Sequence, residues 1–203
     1  MKIKFNSLIC SILFPVIFIS GLFYLTYNPQ IVPIVGAMGE PFLKEGVFVS
    51  AKAYTPRESV RYLHRDLTLN GIQPVQITIQ NNTDKTYFIS EKGVLTPHHS
   101  AKRVSFCVLR SAIHRSIALK IAGFFFWPFI IPSAVDTLIT WRCHAKIMHE
   151  YGVKGLKEES EILTPYSTVT RVLFMPKKKF AQKVALLLYE KQTHRTISLQ
   201  AST

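Results

Sequence analysis

The chain predicts a mainly β fold, a two-sheet sandwich interrupted by a helical apolar insert and preceded by one membrane-spanning helix. Three observations carry that expectation. Residues 8–25 form an uncharged apolar run, several short segments between residues 46 and 200 alternate with period two, and a second uncharged stretch at 121–135 is broken by prolines. With 203 residues, there is room for an anchor and one domain.

Lys2 and Lys4 precede the first run, and no further charge appears before Glu40. Its 18 residues rise about 27 Å as a helix, close to the thickness of a bilayer's hydrocarbon core. Lipid offers the backbone no hydrogen bonds, so the run must be helical there, with Pro15 as a tolerated kink. Cations on the near side place the N-terminus inside and the rest of the chain outside, and Tyr24 and Tyr27 fall at the interface. A cleaved signal peptide competes with this reading. Its core would be shorter, and the small-residue pattern at Val35-Gly36-Ala37 lies far beyond Leu25. Cys10 comes too early for a lipoprotein site and follows Leu8-Ile9 rather than small residues. The segment is read as an anchor over residues 1–27. Residues 28–45, with Pro29, Pro33, Pro41, Gly36 and Gly39, are read as a linker.

The domain is expected over residues 46–203. Val47, Val49, Ala51 and Ala53 alternate with Phe48, Ser50, Lys52 and Tyr54. Thr55-Pro56-Arg57-Glu58 then reads as a helix start, with Thr55 as cap, Pro56 in the first turn and Glu58 closing a capping box. That helix is expected to reach His64. Ile72–Gln80 is the clearest strand. Asn81–Asp84 reads as a turn that sends Thr86–Ser90 back as the second arm of a hairpin. Glu161–Thr164, Thr168–Met175, Val184–Glu190 and Thr196–Gln200 complete the strand set, with Lys177–Lys179 between the second and third of these.

The insert is expected at about residues 112–152. Ile121–Val135 would span only about 22 Å as helix, and Pro128 and Pro132 interrupt it. Three readings stay open. It is a helix buried on the sandwich, a segment dipping into the membrane interface, or a second span. In the interfacial reading the lipid-contact residues are Phe124, Phe125, Phe126, Trp127 and Phe129, with flanking cations on lipid phosphates. Trp141–Tyr151 follows as an amphipathic helix stopped by Gly152.

The net charge is +13, and +12 of it belongs to residues 41–203. A field of that sign attracts anionic partners. Arg171, Lys177, Lys178, Lys179 and Lys183 form the densest cluster and are the candidate anion-contact residues; a solvated turn is the plainer alternative. Cys107 and Cys143 are read either as a disulfide or as two free thiols. His98-His99 lacks the further ligands a metal site needs. Asp66 reads as a local cap or ion-pair partner, and Asp136 as a cap for the helix that follows the insert. No CxxC, GxSxG, HExxH, GxGxxG or phosphate-loop pattern occurs, so neither a catalytic site nor a cofactor is expected.

Two stretches carry a resemblance. Tyr62-Leu63-His64-Arg65-Asp66-Leu67 with Gly71-Ile72-Gln73-Pro74-Val75 to Asn81, and Ile162-Leu163-Thr164-Pro165 to Arg171–Pro176, cover about half of the domain. They resemble uncharacterised bacterial membrane or lipoprotein-like envelope proteins. The resemblance implies an immunoglobulin-like sandwich, similar to late embryogenesis abundant domains, and no enzyme activity. The expected role is a non-enzymatic envelope protein on the periplasmic side of the inner membrane. Its β domain would bind an envelope protein partner or support envelope assembly. The alternatives are a basic binder of nucleic acid or another anionic polymer, a two-span membrane protein, and an unfamiliar envelope hydrolase. The first of these lacks the stacking-aromatic motif of such modules.

Overall fold

The computed structural model describes residues 42–125, 130–180 and 182–203, excepting the side chains of 110–116, 118–119, 122–123, 125, 130–140 and 143. The anchor expected over 1–27, most of the linker, and Phe126, Trp127 and Phe129 therefore lie outside the described residues. Two compact units are present. One holds Val108–His149; the other holds the strands, up to Cys107 and again over Glu150–Thr203.

The strand unit is mainly β, built from two four-stranded antiparallel sheets that share one apolar core, the arrangement of a β-sandwich. The first sheet runs β1 (Phe42–Lys44), β2 (Val47–Ala53), β3 (Ile72–Asn81) and β6 (Thr168–Pro176) in spatial order. The second runs β5 (Glu161–Leu163), β4 (Tyr87–Ile89), β7 (Lys183–Glu190) and β8 (Thr196–Ser202). Alternation decides which side chains meet. Val47, Val49 and Ala51 of β2, Val75, Ile77 and Ile79 of β3, and Leu173 and Met175 of β6 face Val184, Leu186, Leu188, Ile197 and Leu199 of the other sheet.

Two expectations are corrected here. Phe42–Lys44 was assigned to the linker, yet it pairs with β2, Phe42 opposite Val49 and Lys44 opposite Val47. Glu45 (φ 51°) and Gly46 (φ 80°) supply the two positive-φ positions that a tight hairpin turn needs. Three residues are too few to display alternation. Tyr87–Ile89 was expected to return beside β3, but it pairs with β5 and β7 in the opposite sheet. The cause is Asn81, which is fully buried. Its Nδ2 donates to the carbonyls of Lys85 (2.7 Å) and Thr164 (2.9 Å), while its Oδ1 accepts from the Thr83 amide and hydroxyl. The amide thus holds residues 82–86 as a corner between sheets rather than a hairpin turn.

The outer face of the first sheet is covered too. α1 (Pro56–Leu63) has the expected capping box, with reciprocal bonds between Thr55 and Glu58, and it ends at His64 in the left-handed region. Asp66 caps the 3₁₀ turn Leu67–Asn70 through the Thr68 amide and hydroxyl, as the cap reading expected. Gln76 points to this outer face and is buried. The Tyr54 hydroxyl donates to its Oε1 at 2.7 Å, and burial pushes the Tyr54 phenol well above its usual range.

Between β4 and β5 the chain forms two long helices, α2 (Ala101–Phe125) and α3 (Ile130–Lys154). The first begins before and the second ends after the insert boundaries expected, and α3 runs through Gly152 to Lys154. Pro132 falls in the first turn of α3, where a missing N–H costs nothing. Asp136 lies inside α3, six residues past its start, so it does not occupy a capping position. Among the described residues no helix is long and apolar enough to cross a membrane.

Candidate functional site

Register places many exposed cations at one end of the strand unit. At that end lie the last residue of β2, the first of β3, the last of β6 and the first of β7: Ala53 opposes Val75, Ile72 opposes Pro176, and Lys183 opposes Ser202. α1 starts just after β2, and the Tyr54 amide bonds the Pro74 carbonyl. The 3₁₀ turn Lys177–Lys179 closes onto the same end through the bond from the Lys177 amide to the Gly71 carbonyl (2.8 Å). α2 begins there as well, because His99 bridges to Phe174, and Gly155 just after α3 bridges to Val172. Arg57, Arg61, Lys177, Lys178, Lys179 and Lys183 are all exposed at this end. Lys102 and Arg103 in the first turn of α2 are exposed too.

Three acids near this end are engaged. Glu58 is held by Lys52 (2.5 Å) and by the Thr55 amide and hydroxyl; these bonds outweigh desolvation and keep its carboxyl below the usual range. Asp66 is committed to Thr68. Glu150 is paired with Lys154 one turn later on α3, and both side chains are buried, 4% and 6% exposed. Burial raises the Glu150 carboxyl and Lys154 opposes the shift. Lys154 Nζ also donates to the Tyr62 carbonyl, and the Tyr151 hydroxyl donates to the Leu63 carbonyl (2.9 Å). The last turn of α3 thereby satisfies the open carbonyls at the end of α1. Tyr151 stacks on Phe174, ring centroids 5.6 Å apart.

The residues expected at an anion site divide. Lys177, Lys178, Lys179 and Lys183 come together at the basic end. Arg171 does not belong with them. It sits opposite Ile77 in mid-strand, and its guanidinium forks onto the Glu161 carboxylate of β5, joining the edges of the two sheets. Its charge is neutralised where the sheets meet. Arg57 and Arg61 were missed, although their spacing four apart on a capped helix was a readable signal of one exposed basic face.

Of the residues expected at lipid, Phe124 is described and is 86% exposed near the end of α2. Ile117 and Ile121 are exposed on the same helix face, and Trp141 on α3 is exposed. The Phe125 side chain lies outside the described set. Cys107 is a free and exposed thiol, so it is not half of a disulfide.

His98 places Nδ1 2.9 Å from the Thr96 carbonyl and Nε2 3.4 Å from Glu91. Desolvation, Arg103 and His98 lower the His99 imidazole. Among the described residues no group of three His, Cys, Asp or Glu side chains is placed to hold a metal. An open groove of about 300 Å³ lies on the second sheet, where Ser90, Ser160 and Thr196 meet Phe88, Leu187 and Tyr189. Its side-chain polar groups are hydroxyls, and that of the lining Tyr189 bonds the His194 Nδ1. No family model, curated protein or solved structure matches this chain.

Proposed function

We propose that the protein is a membrane-anchored envelope component whose β domain stands outside the cytoplasm and acts by binding rather than by catalysis. The anchor is the uncharged run at residues 8–25 behind Lys2 and Lys4. The single observation that carries the reading is this long charge-free approach, Lys4 to Glu40, leading directly into a completed two-sheet domain.

Strand order supports an immunoglobulin-like assignment. β2, β3 and β6 share one sheet and β4, β7 and β8 the other, so both the β3–β4 and β6–β7 connections cross between sheets. Such crossings are the Greek-key habit of that sandwich class. The exposed stripe of Ile117, Ile121 and Phe124 supports contact of the helical unit with lipid.

Alkaline carbonate extraction of membranes from cells making a C-terminally tagged chain tests the anchor. The chain should stay in the pellet, and protease added to spheroplasts should remove the tag. A tag that resists protease in intact spheroplasts and is cut only after lysis would show the domain to be cytosolic.

A further inference from the structure

We propose that the basic end of the strand unit is the face laid against the membrane, its cations seated on anionic lipid headgroups. The inference rests on the anchor reading above. The first support is the asymmetry of charge. At the opposite end, exposed Lys44, Lys191 and Arg195 mingle with exposed Glu45 and Asp84, and Lys85 is spent on Glu190 at 3.0 Å. At the basic end Glu58, Asp66 and Glu150 are bonded in place, and the exposed side chains of Arg57, Arg61 and Lys177–Lys179 face water.

Chain direction is the second support. β1 is antiparallel to β2, with Phe42 opposite Val49 and Lys44 opposite Val47. β1 therefore runs away from the basic end, so its first residue, Phe42, is the one nearer that end. Between Leu25 and Phe42 lie 16 residues, which can reach at most about 55 Å fully extended. On the anchor reading, the strand unit is tied to the bilayer through the terminus of β1 that is nearer the cations. Screening at physiological salt sets in over about 8 Å, so only the nearest face feels the lipid charge.

Lipid is favoured over nucleic acid because the patch offers cations without a stacking surface. Tyr54 is buried, and the Tyr62 ring lies under the Arg61 guanidinium, 5.5 Å from its centroid.

The test is lysine footprinting of the full chain reconstituted into vesicles of phosphatidylcholine alone or with one third phosphatidylglycerol, using an acylating reagent and mass spectrometry. With phosphatidylglycerol present, acylation of Lys177–Lys179 and Lys183 should fall by about fivefold, while Lys191 stays constant. High salt should restore it. Lys177→Glu, Lys178→Glu and Lys179→Glu combined should abolish protection of Lys183; these side chains are exposed, so folding is preserved. Equal acylation in the two lipids, with the chain still in the carbonate pellet, overturns the proposal while leaving the anchor standing. Stronger protection by a DNA oligonucleotide on phosphatidylcholine vesicles than by phosphatidylglycerol also overturns it. A chain released by carbonate overturns the anchor reading and this one together.

Discussion

Lys154→Met is expected to destabilise the strand unit by about 3–5 kcal/mol, because it leaves the Glu150 carboxylate buried without its cation. Glu150 is 4% exposed, and its Oε2 has no hydrogen-bond partner even with Lys154 in place. For a chain of this size that corresponds to a fall in Tm of roughly 10 °C, read by circular dichroism of the detergent-solubilised protein. The effect should depend on pH in a definite direction. The folded Glu150 carboxyl already lies above its ordinary value of 4.5, through burial, with Lys154 opposing. Removing Lys154 raises it further. An acid that binds its proton more tightly when folded contributes stability below that ordinary value, and loses it as pH rises through the folded value. The deficit of Lys154→Met should therefore be small at pH 4 and full at pH 8. Adding Glu150→Leu should recover most of the loss, since a buried pair replaced by apolar groups is nearly neutral. Equal stability of Lys154→Met and the native protein from pH 4 to pH 8 would refute the account.

Asn81→Ala should cost about 3 kcal/mol. The amide makes four hydrogen bonds from a fully buried position. Two of them end on the carbonyls of Lys85 and Thr164, which the alanine variant leaves open. Asn81→Asp keeps the acceptor oxygen for Thr83 but loses the donor, and should be no better. Urea unfolding monitored by the fluorescence of the strand unit's buried tyrosines, with excitation of both tyrosine and tryptophan recorded, gives the midpoint. A loss below about 0.5 kcal/mol would mean that water replaces the amide and that the corner is set by something else.

Much of the strand unit could be read from its residues, and the reasons are local. β3 declares itself through Val75, Ile77 and Ile79, and the capping box at Thr55 and Glu58 is a four-residue pattern with a direct hydrogen-bond meaning. What escaped reading depends on contacts distant in sequence. The Asn81 turn looks like a hairpin because Asn and Asp favour turns of every kind; only the Thr164 carbonyl, 83 residues away, shows which kind. Arg171 looked like a member of the lysine cluster because it lies near in sequence. Its place opposite Ile77, aimed at Glu161, follows from register alone. The basic end was half legible. Lys177–Lys179 is visible as a run, but its union with Arg57 and Arg61 needs the β2, β3 and β6 termini brought level.

The placement of α2 and α3 between β4 and β5 governs the order in which the molecule can be made. β3 and β6 form the longest ladder of the first sheet, and Thr78 meets Thr170 across 92 residues of chain. That partner emerges only after both helices have been synthesised, so a nascent β3 spends that interval with one edge unpaired. Early strands of this kind are sites for chaperone attendance and for misassociation. Helical structure in the intervening stretch shortens the distance the two strands must close, so final assembly is paced by how soon the helices form.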